Sequence, residues 1–462
     1  MGATRFSLRL LWLLLADAVM LFAGVILAMY IRLGVSGTEE YLAEHNGWAK
    51  IGLAAGLCLL ILYFYDLYDY VVMTNRRELL LRMVQSLGIA WALLALFFYF
   101  MPGLLIGRGV SVISVPIVLA MLLGWRIFIH SLTGHPEIGE KILVVGTGKT
   151  ALDTAEAVWE RRDAGYRIVG FVSENGAKPG DRLGRSAILG KAHELENVIR
   201  SEKVDRVVIA VRERRGAFPT EALLKMSLAG DISIEECTSF FERITGKVHV
   251  DMLRPSWLIF AGRRRDTPLK SILREFVHRG LALAGLVLSL PIALLTAVLI
   301  KIDSRGPIFY RQERVGRNGK AFNVIKFRSM KTDAEKDGTP VWAMTNDDRV
   351  TRIGRIIRKL RIDEIPQFLN IIKGEMSFVG PRPERPHFVE QLAHEVAYYE
   401  HRHLVAPGLT GWAQIKYPYG ASVDDAIQKL QYDLYYIKNQ SLTLDLMIVF
   451  ETVKTVLFGR GR

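Results

Sequence analysis

The chain has 462 residues, enough for about three domains of roughly 150 residues each. It is basic, with a formal net charge of +13, and also apolar, with a mean hydropathy of +0.20. This combination is atypical of a soluble enzyme and indicates contact with anionic lipid or an anionic substrate. We expect no nucleic-acid partner, since the apolar runs do not fit one. Two cysteines, Cys58 and Cys237, indicate neither a disulfide framework nor a thiolate metal site.

The first quarter of the chain predicts a four-helix transmembrane bundle over residues 1–132. Each of its apolar runs is near the ~20 residues that a helix needs to cross the hydrocarbon layer. The runs are Leu8–Ile31, Trp48–Tyr65, Leu87–Leu105 and Val110–Ile129. No small-residue cleavage site follows the first run, so we interpret it as a retained anchor. Basic residues at Arg5, Arg9 and Arg126, against an acidic loop "GTEEYLAEH", place both ends of the bundle in the cytoplasm. Buried helices of a soluble protein remain the alternative.

Residues 133–240 alternate between strand and helix patterns, which predicts a small, parallel, Rossmann-like α/β domain. The strands are "KILVVG", "RIVGFV", "DRVVIAV" and "ISIEEC". The turn "GTGKT" (146–150) matches a short G-x-G-x-x-A dinucleotide pattern, but Leu143 stands where a P-loop needs its first glycine. Residues 241–267 form a connecting segment.

One more apolar run, residues 280–300, begins the last domain, predicted over 268–462. Pro291 lies near its middle and removes a helical N–H. Many basic residues follow, and moving them across the membrane would violate the positive-inside tendency. We therefore predict a re-entrant helix over 272–300 that breaks at Pro291 and returns to the same face, with Ser289 available for a freed carbonyl. A kinked spanning helix is the alternative.

Clustered cations and two carboxylates mark the rest of this domain. The strand "FNVIKF" delivers Lys326 and Arg328, which suit phosphate oxygens. The segment "TRIGRIIRKLRIDE" has the pattern of an interfacial amphipathic helix that carries Asp363 and Glu364 to headgroup level. Nearby cations should favour the ionised carboxylates. Counter-ions on a solvated, membrane-facing surface are the competing interpretation.

Two loops stiffened by glycine and proline follow. In Gly380-Pro381-Arg382-Pro383 the prolines hold the backbone around one guanidinium, which favours a phosphate contact. "VAPGLTGWAQI" (405–415) offers Trp412 for stacking and Gln414 for hydrogen bonding. Simple turn chemistry is the alternative for both. Three histidines in "HEVAYYEHRH" match no common metal-ligand spacing.

At these motifs the sequence resembles the bacterial polyprenyl-phosphate sugar-1-phosphate transferases, the monotopic phosphoglycosyl transferases. The resemblance is carried by "IFYRQERVGRNGKAFNVIKFRSM", "RKLRIDEIPQFLNIIKGEMSFVGPRP", "PGLTGWAQI" and "DLYYIKNQSLTLDL". It covers the chain from about residue 268 onwards. The upstream bundle and α/β domain resemble the large members that initiate exopolysaccharide assembly.

The resemblance implies a role for each matched residue. Asp363 corresponds to the nucleophile, and Glu364, with Asp363, to the residues that hold Mg²⁺. Lys326 and Arg328 match the K-F-R-S-M element, Arg358 the arginine five residues before the aspartate, and Arg382 the P-R-P loop. Two departures are visible: the family's Ser-Pro pair reads Ser289-Leu290-Pro291, and its N-D-P-R segment reads "NDDR", with Asp348 in place of proline.

The resemblance also implies a reaction and a location. Asp363 would attack the sugar-linked phosphorus of a UDP-sugar and release UMP, and undecaprenyl phosphate would then take the sugar phosphate from the aspartyl intermediate. The enzyme would be a multi-pass protein of the bacterial inner membrane, a homodimer, with its catalytic domain on the cytoplasmic face. The sequence does not identify the sugar.

Two other classes of function stay open from the residues alone. A membrane-anchored NAD-dependent nucleotide-sugar oxidoreductase or dehydratase would use "GTGKTALD" to bind a dinucleotide. No tyrosine–lysine pair stands out for it in residues 166–240. A non-enzymatic scaffold is the third class, and the intact Asp-Glu, K-F-R-S-M and P-R-P elements argue against it.

Overall fold

The protein is described by a computed structural model. The description covers residues 2–44, 46–68, 76–104, 106–133, 139–161, 165–174, 176–211, 220–230, 232–250, 253, 268–331, 349–417, 420 and 422–457. The chain divides into two compact units, Met1–Ile244 and Thr245–Arg462. Most of the connecting segment 241–267 and residues 346–348 of "NDDR" lie outside the described residues, so the domain boundaries stay predictions.

The first unit begins with four long apolar helices, as predicted. They are α1 (Gly2–Glu44), α2 (Gly47–Phe64), α3 (Arg76–Phe100) and α4 (Arg108–Thr133). The acidic segment after the first run, predicted as a loop, is helical in the structure and belongs to α1. A kink at Gly34 (φ 74°) separates it from the apolar part, because a positive φ interrupts helical backbone geometry.

Arg126 does not flank the bundle as the orientation argument assumed. Its side chain is fully buried, forms an ion pair with the carboxylate of Asp17 and donates to the carbonyl of Leu67. An ion pair inside an apolar bundle satisfies both charges where water is excluded. The pair therefore joins α1 to α4 and adds nothing to the charge of a cytoplasmic loop.

The α/β part of the first unit confirms the predicted alternation. Its elements are β1 (Glu140–Val145), α5 (Lys149–Glu160), β2 (Tyr166–Ser173), β3 (Arg182–Leu183), β4 (Ser186–Lys191), α6 (Leu195–Glu202), β5 (Arg206–Ile209), α7 (Thr220–Leu228), β6 (Ser233–Glu236) and α8 (Cys237–Thr245). The sheet order is β3-β4-β2-β1-β5-β6, parallel except for β3 against β4. The β3–β4 hairpin was not predicted. Central strands such as β1 and β5 are buried on both faces, which explains their unbroken apolar sequence.

The second unit contains one long helix, two small sheets and a set of shorter helices. Its elements are α9 (Pro268–Asp303), β7 (Phe309–Val315), β8 (Ala321–Phe327), α10 (Arg352–Lys359), α11 (Gln367–Lys373), β9 (Ser377–Val379), α12 (Pro386–Glu395), β10 (Gly408–Thr410), α13 (Trp412–Lys416), α14 (Val423–Lys438) and α15 (Leu442–Leu457). Strands β7 and β8 are antiparallel, and β9 and β10 are parallel.

The predicted break at Pro291 is wrong in helix α9. The helix is continuous through Pro291, and its 36 residues correspond to about 54 Å at ~1.5 Å per residue. A proline removes one backbone N–H, but a helix can continue past it when neighbouring groups satisfy the freed carbonyls. The hydroxyl of Ser289 does donate to a carbonyl, that of Leu286, at 3.2 Å.

Both ends of α9 pack against the same folded unit. Near the start, Arg274 and His278 contact the buried carboxylate of Asp445. Near the end, Ile300 is buried in one cluster with Phe327 and Ile357. One long face of the helix is exposed and apolar, and its residues are Leu283, Val287, Leu288, Leu290, Ile292, Leu294, Leu295 and Val298.

Within the described part of the chain, five helices are long and apolar enough to cross a membrane. They cover 11–43, 47–64, 77–100, 108–129 and 269–303. An extended apolar surface of this kind is stable only in contact with lipid or another protein. The protein is therefore membrane-bound.

Candidate active site

The short helix α10 begins where it does because of two local features. The hydroxyl of Thr351 accepts a hydrogen bond from the backbone N–H of Gly354 at 2.9 Å, which caps the helix. A Cβ on Gly354 would lie 2.0 Å from the carbonyl oxygen of Ser329. Only glycine allows this close approach, so α10 is fixed against the chain that leaves β8.

Arg361 reverses the chain directly after α10. Its backbone is left-handed (φ 57°, ψ 18°), a conformation that few residues other than glycine adopt. The next three residues, Ile362–Glu364, form a 3₁₀ turn. This turn directs the carboxylates of Asp363 and Glu364 into the second unit, where Asp363 is buried and the Glu364 side chain is only 12 % exposed.

Three cationic side chains converge on one oxygen of Glu364. The Nη2 atom of Arg382 donates to its Oε1 at 2.8 Å, the Nη1 atom of Arg361 lies at 3.4 Å, and the Nζ atom of Lys326 lies at 3.6 Å. Lys326 comes from β8, Arg361 from the chain reversal and Arg382 from the P-R-P loop. Three segments distant in sequence therefore meet at this carboxylate.

Asp363 is in the opposite situation. Its Oδ1 atom is buried and has no hydrogen-bond partner among the described residues. A buried acceptor without a partner is costly and is common at sites that bind a ligand or ion. Asp363 is thus the carboxylate that is left available for chemistry.

The surroundings move the pKa values of the two carboxyls apart. Burial, with the adjacent charge of Glu364, raises the pKa of Asp363 to about 6, although the cations partly oppose this. Burial alone would also raise the pKa of Glu364, but Arg382, Lys326 and Arg361 outweigh it and hold that pKa well below its usual range. Two neighbouring carboxyls with separated pKa values can take different chemical roles.

Arg358, predicted to bind phosphate, is not one of the cations around the dyad. Among the described contacts, none joins its side chain to Asp363 or Glu364, and Arg361 holds that place. The left-handed residue at 361 turns the chain between them, so helical spacing from Arg358 does not extend to the carboxylates. The sequence motifs gave Arg361 no role, and only the fold brings it to Glu364.

Arg328 also differs from its prediction as a phosphate ligand. Its side chain is buried, and its guanidinium donates to the carbonyls of Ser304 and Arg305, each at 2.8 Å. These bonds hold the segment that directly follows α9 against the end of β8. Strand β8 ends at Phe327, before Arg328, and no described contact joins the Arg328 side chain to Asp363 or Glu364.

Neither Trp412 nor Gln414, the two residues predicted in the loop 405–415, contacts the dyad among the described residues. Trp412 is buried, donates to the carbonyl of Gly246 at 2.7 Å and stacks on Tyr435, so it is not available for stacking on a substrate. Gln414 donates to the carbonyl of Leu409 at 3.4 Å, and its Oε1 has no partner in the described part of the chain. No described contact brings Gln414 to the dyad.

Comparisons with known proteins match both parts of the chain. The family described as "Bacterial sugar transferase" matches residues 269–459, and "CoA-binding domain" matches residues 64–217. The exopolysaccharide production protein PSS of Rhizobium leguminosarum bv. phaseoli is 40% identical over 189 residues, and the match covers 39% of this chain and 93% of that protein. The chain belongs to the bacterial sugar transferase family.

Longer members of the family match over more of the chain. The UDP-N-acetylgalactosamine-undecaprenyl-phosphate N-acetylgalactosaminephosphotransferase of Aeromonas hydrophila is 41% identical over 56% of this chain and 60% of its own length. The undecaprenyl-phosphate glucose phosphotransferase of Komagataeibacter xylinus is 35% identical over 72% of this chain and 62% of its own length. The chain thus spans about 60% of the length of these two relatives.

Proposed function

We propose that the protein transfers sugar 1-phosphate from a UDP-sugar to undecaprenyl phosphate, with Asp363 as nucleophile, and so initiates assembly of an exopolysaccharide-type glycan. The observation that carries this proposal is that the two carboxylates differ in their partners. Three cations contact Glu364, while the buried Oδ1 of Asp363 has no partner among the described residues. The names of the relatives above, which act on undecaprenyl phosphate, support the substrate class.

The first displacement follows from this arrangement. Oδ1 of Asp363 forms a bond to the sugar-linked phosphorus, the bond from that phosphorus to the bridging oxygen breaks, and UMP leaves with the electron pair. The attacker and the diphosphate are both anionic, so their repulsion must be offset. Arg382, Arg361 and Lys326 supply positive charge beside the attacked group.

The second displacement returns the enzyme to its starting state. An oxygen of undecaprenyl phosphate bonds to the same phosphorus, and the bond to Asp363 breaks, which gives the polyprenyl-diphospho-sugar and a free carboxylate. Dividing the transfer into two steps lets one site serve a water-soluble donor and a lipid acceptor in turn.

The residues at the dyad fit the Mg²⁺ that the family implies. A magnesium ion is commonly held by one or two carboxylates together with substrate phosphates, and the orphaned Oδ1 of Asp363 beside Glu364 is a suitable donor set. Mg²⁺ would neutralise charge on the diphosphate and the leaving UMP. However, three cations against two carboxylates leave the cluster with one net positive charge. We therefore expect the ion to bind together with the diphosphate.

The position of α9 supports a catalytic domain that stays on one face of the membrane. Both ends of the helix contact the same folded unit, although a straight helix of this length could cross the hydrocarbon layer. Beside the dyad, Ile356 and Leu360 of the α10 segment are exposed, as are several of its cations. A re-entrant or interfacial α9 and an inserted α10 would hold Asp363 at the depth of the acceptor phosphate. We place the catalytic domain on the cytoplasmic face of the bacterial inner membrane because Arg5 and Arg9 precede the first apolar run and many basic residues follow the run 280–300.

The oxidoreductase alternative is not favoured, since the relatives named above are sugar phosphotransferases. The sugar and the predicted homodimer stay open. A panel of radiolabelled UDP-sugars, with product counted in the organic phase, identifies the donor.

The decisive experiment is incubation of purified protein with its UDP-sugar and Mg²⁺ in the absence of lipid acceptor. We expect about one equivalent of UMP and a phosphosugar adduct on Asp363 by mass spectrometry of the quenched enzyme. Adding undecaprenyl phosphate should then remove the adduct. UMP that forms only when both substrates are present, with no adduct, would contradict a covalent mechanism.

The topology of α9 has a separate test. Single cysteines at Lys270 and Asn318, both exposed, are placed in a protein whose Cys58 and Cys237 are changed to alanine. An impermeant reagent should label both from the cytoplasmic side. Labelling from opposite sides would show that α9 crosses the membrane.

A further inference from the structure

The P-R-P loop is held by more donors than a surface turn requires. The four consecutive carbonyls of Pro381–Glu384 all accept hydrogen bonds. Their donors are Gly408 N at 2.9 Å, Arg402 Nη2 at 3.1 Å, Arg314 Nη1 at 3.2 Å and Val315 N at 2.9 Å. These donors come from β7, β10 and the 3₁₀ segment Tyr399–Leu404. The backbone that carries Arg382 is therefore fixed from three directions.

We propose that Arg402 is a positioning residue for the sugar-phosphate transfer, acting through Arg382. Arg402 is buried and donates to the backbone carbonyl of Arg382. It belongs to neither the dyad nor the cations around Glu364. The inference rests on the proposed function and extends it to a residue for which the sequence offered no role.

The surroundings of Arg402 fit this task. Its Nη1 donates to the hydroxyl of Tyr399 at 2.6 Å, and its Nη2 also donates to Oδ2 of Asp433 at 2.9 Å. Asp433 is buried too, so the positive charge of Arg402 is balanced locally and is not directed at the substrate. A planar guanidinium can bridge three acceptors at fixed angles, which an ammonium group cannot do.

The geometry of the loop transmits the effect to the active site. Pro383 restricts the backbone of Arg382 to extended conformations, and Arg402 fixes the carbonyl of the same residue. From this fixed backbone position, the Nη2 of Arg382 donates to Oε1 of Glu364 at 2.8 Å. A displacement of the loop would weaken that contact and misplace positive charge at the diphosphate.

The test compares Arg402→Lys with a matched control, Arg206→Lys. Arg206 is a mostly buried arginine that, like Arg402, forms ion pairs with carboxylates, here Glu140 and Glu235, but it belongs to the first unit. Hydrogen exchange is measured on peptides that contain Gly380–Arg385. Kinetics are measured with the UDP-sugar that gives product in the unmodified protein. The exchange measurement does not depend on activity.

We expect Arg402→Lys to speed amide exchange in the loop about 10-fold. We also expect it to lower kcat/KM for the donor by about 10- to 100-fold, since small displacements of reacting groups are costly. In an Arg382→Ala background the further loss should be below about 3-fold, because the two residues act as one unit. Arg206→Lys should leave both quantities unchanged.

Unchanged loop exchange, or losses that multiply in the double variant, would overturn the positioning role. An unmodified protein that transfers no sugar phosphate contradicts the proposed function alone, and loop exchange still decides whether Arg402 holds the loop. If Arg402→Lys does not fold, Arg314→Lys tests the support of the P-R-P loop through the carbonyl of Pro383, again by loop exchange and donor kcat/KM.

Discussion

Two buried charge clusters in the second unit both join carboxylates to arginines, but their carboxylates are satisfied differently. In the first, around α9, the carboxylate of Asp445 is paired at both oxygens: Arg274 and His278 contact Oδ2, and the hydroxyl of Tyr436 lies 2.7 Å from Oδ1. In the second, around the dyad, three cations contact Glu364, while Oδ1 of Asp363 has no hydrogen-bond partner among the described residues.

This difference is the one expected between a structural site and the reactive site proposed above. A fully paired buried carboxylate has no unused acceptor, so it stabilises the contact between α9 and its neighbours α14 and α15. A buried carboxylate with an orphaned oxygen costs free energy that only a ligand recovers. Substitutions in the two clusters should therefore affect different quantities.

The largest effect is expected for Asp363→Asn. Loss of the nucleophile should lower UMP release by about 10³-fold or more, since an amide cannot form the acyl phosphate intermediate. The apparent Tm in detergent should stay close to that of the unmodified protein, because asparagine keeps the volume of the side chain and Oδ1 has no partner among the described residues. Full activity in this variant would remove Asp363 from the mechanism.

Asp445→Asn should do the opposite. It leaves Arg274 as a buried cation without its counter-charge, which we expect to lower the free energy of unfolding by about 3 kcal/mol. The measurement is the apparent Tm in detergent, with activity expressed per folded molecule. A large loss of activity at unchanged stability would mean that this cluster also takes part in the reaction.

A smaller effect on activity should distinguish Arg361, which contacts Glu364, from Arg358, which lies outside the cluster. Arg361→Gln removes one of the charges that contact Glu364, so kcat/KM for the donor should fall about 10-fold. Arg358→Gln is the matched control and should change it by less than about 2-fold, as expected for a residue outside the cluster. A larger loss for Arg358→Gln than for Arg361→Gln would instead support the phosphate-binding role that the family motif implies for Arg358.

The smallest effect concerns pH. The nucleophile must be ionised, and the pKa of Asp363 is raised to about 6 by burial and by Glu364. Because a raised pKa keeps more of the carboxyl protonated in acid, the rate of adduct formation should fall as the pH drops below about 6. Return to neutral pH should restore full activity. A rate that does not change with pH through this range would show that Asp363 is ionised throughout.

Much of this architecture was predictable from local patterns. The apolar runs gave α1–α4, and alternating strand and helix patterns gave the sheet, since both depend on periodicities of a few residues. The dyad was found through its motif. Two expectations differ from the structure for local reasons. Pro291 is compatible with a continuous helix, and β8 ends before Arg328, whose guanidinium binds the chain after α9.

The amino-acid sequence alone was enough to identify a membrane-bound member of a transferase family with an Asp-Glu pair, because apolar runs and short motifs depend only on residues close together in the chain. The tertiary structure alone shows which cations meet Glu364, that Oδ1 of Asp363 has no partner in the described part of the chain, and that Arg402 donates to the P-R-P loop. Those relations join residues from distant segments, and one of them depends on a left-handed arginine at 361. Local propensity does not fix such a conformation, since the packing of the folded unit must hold it.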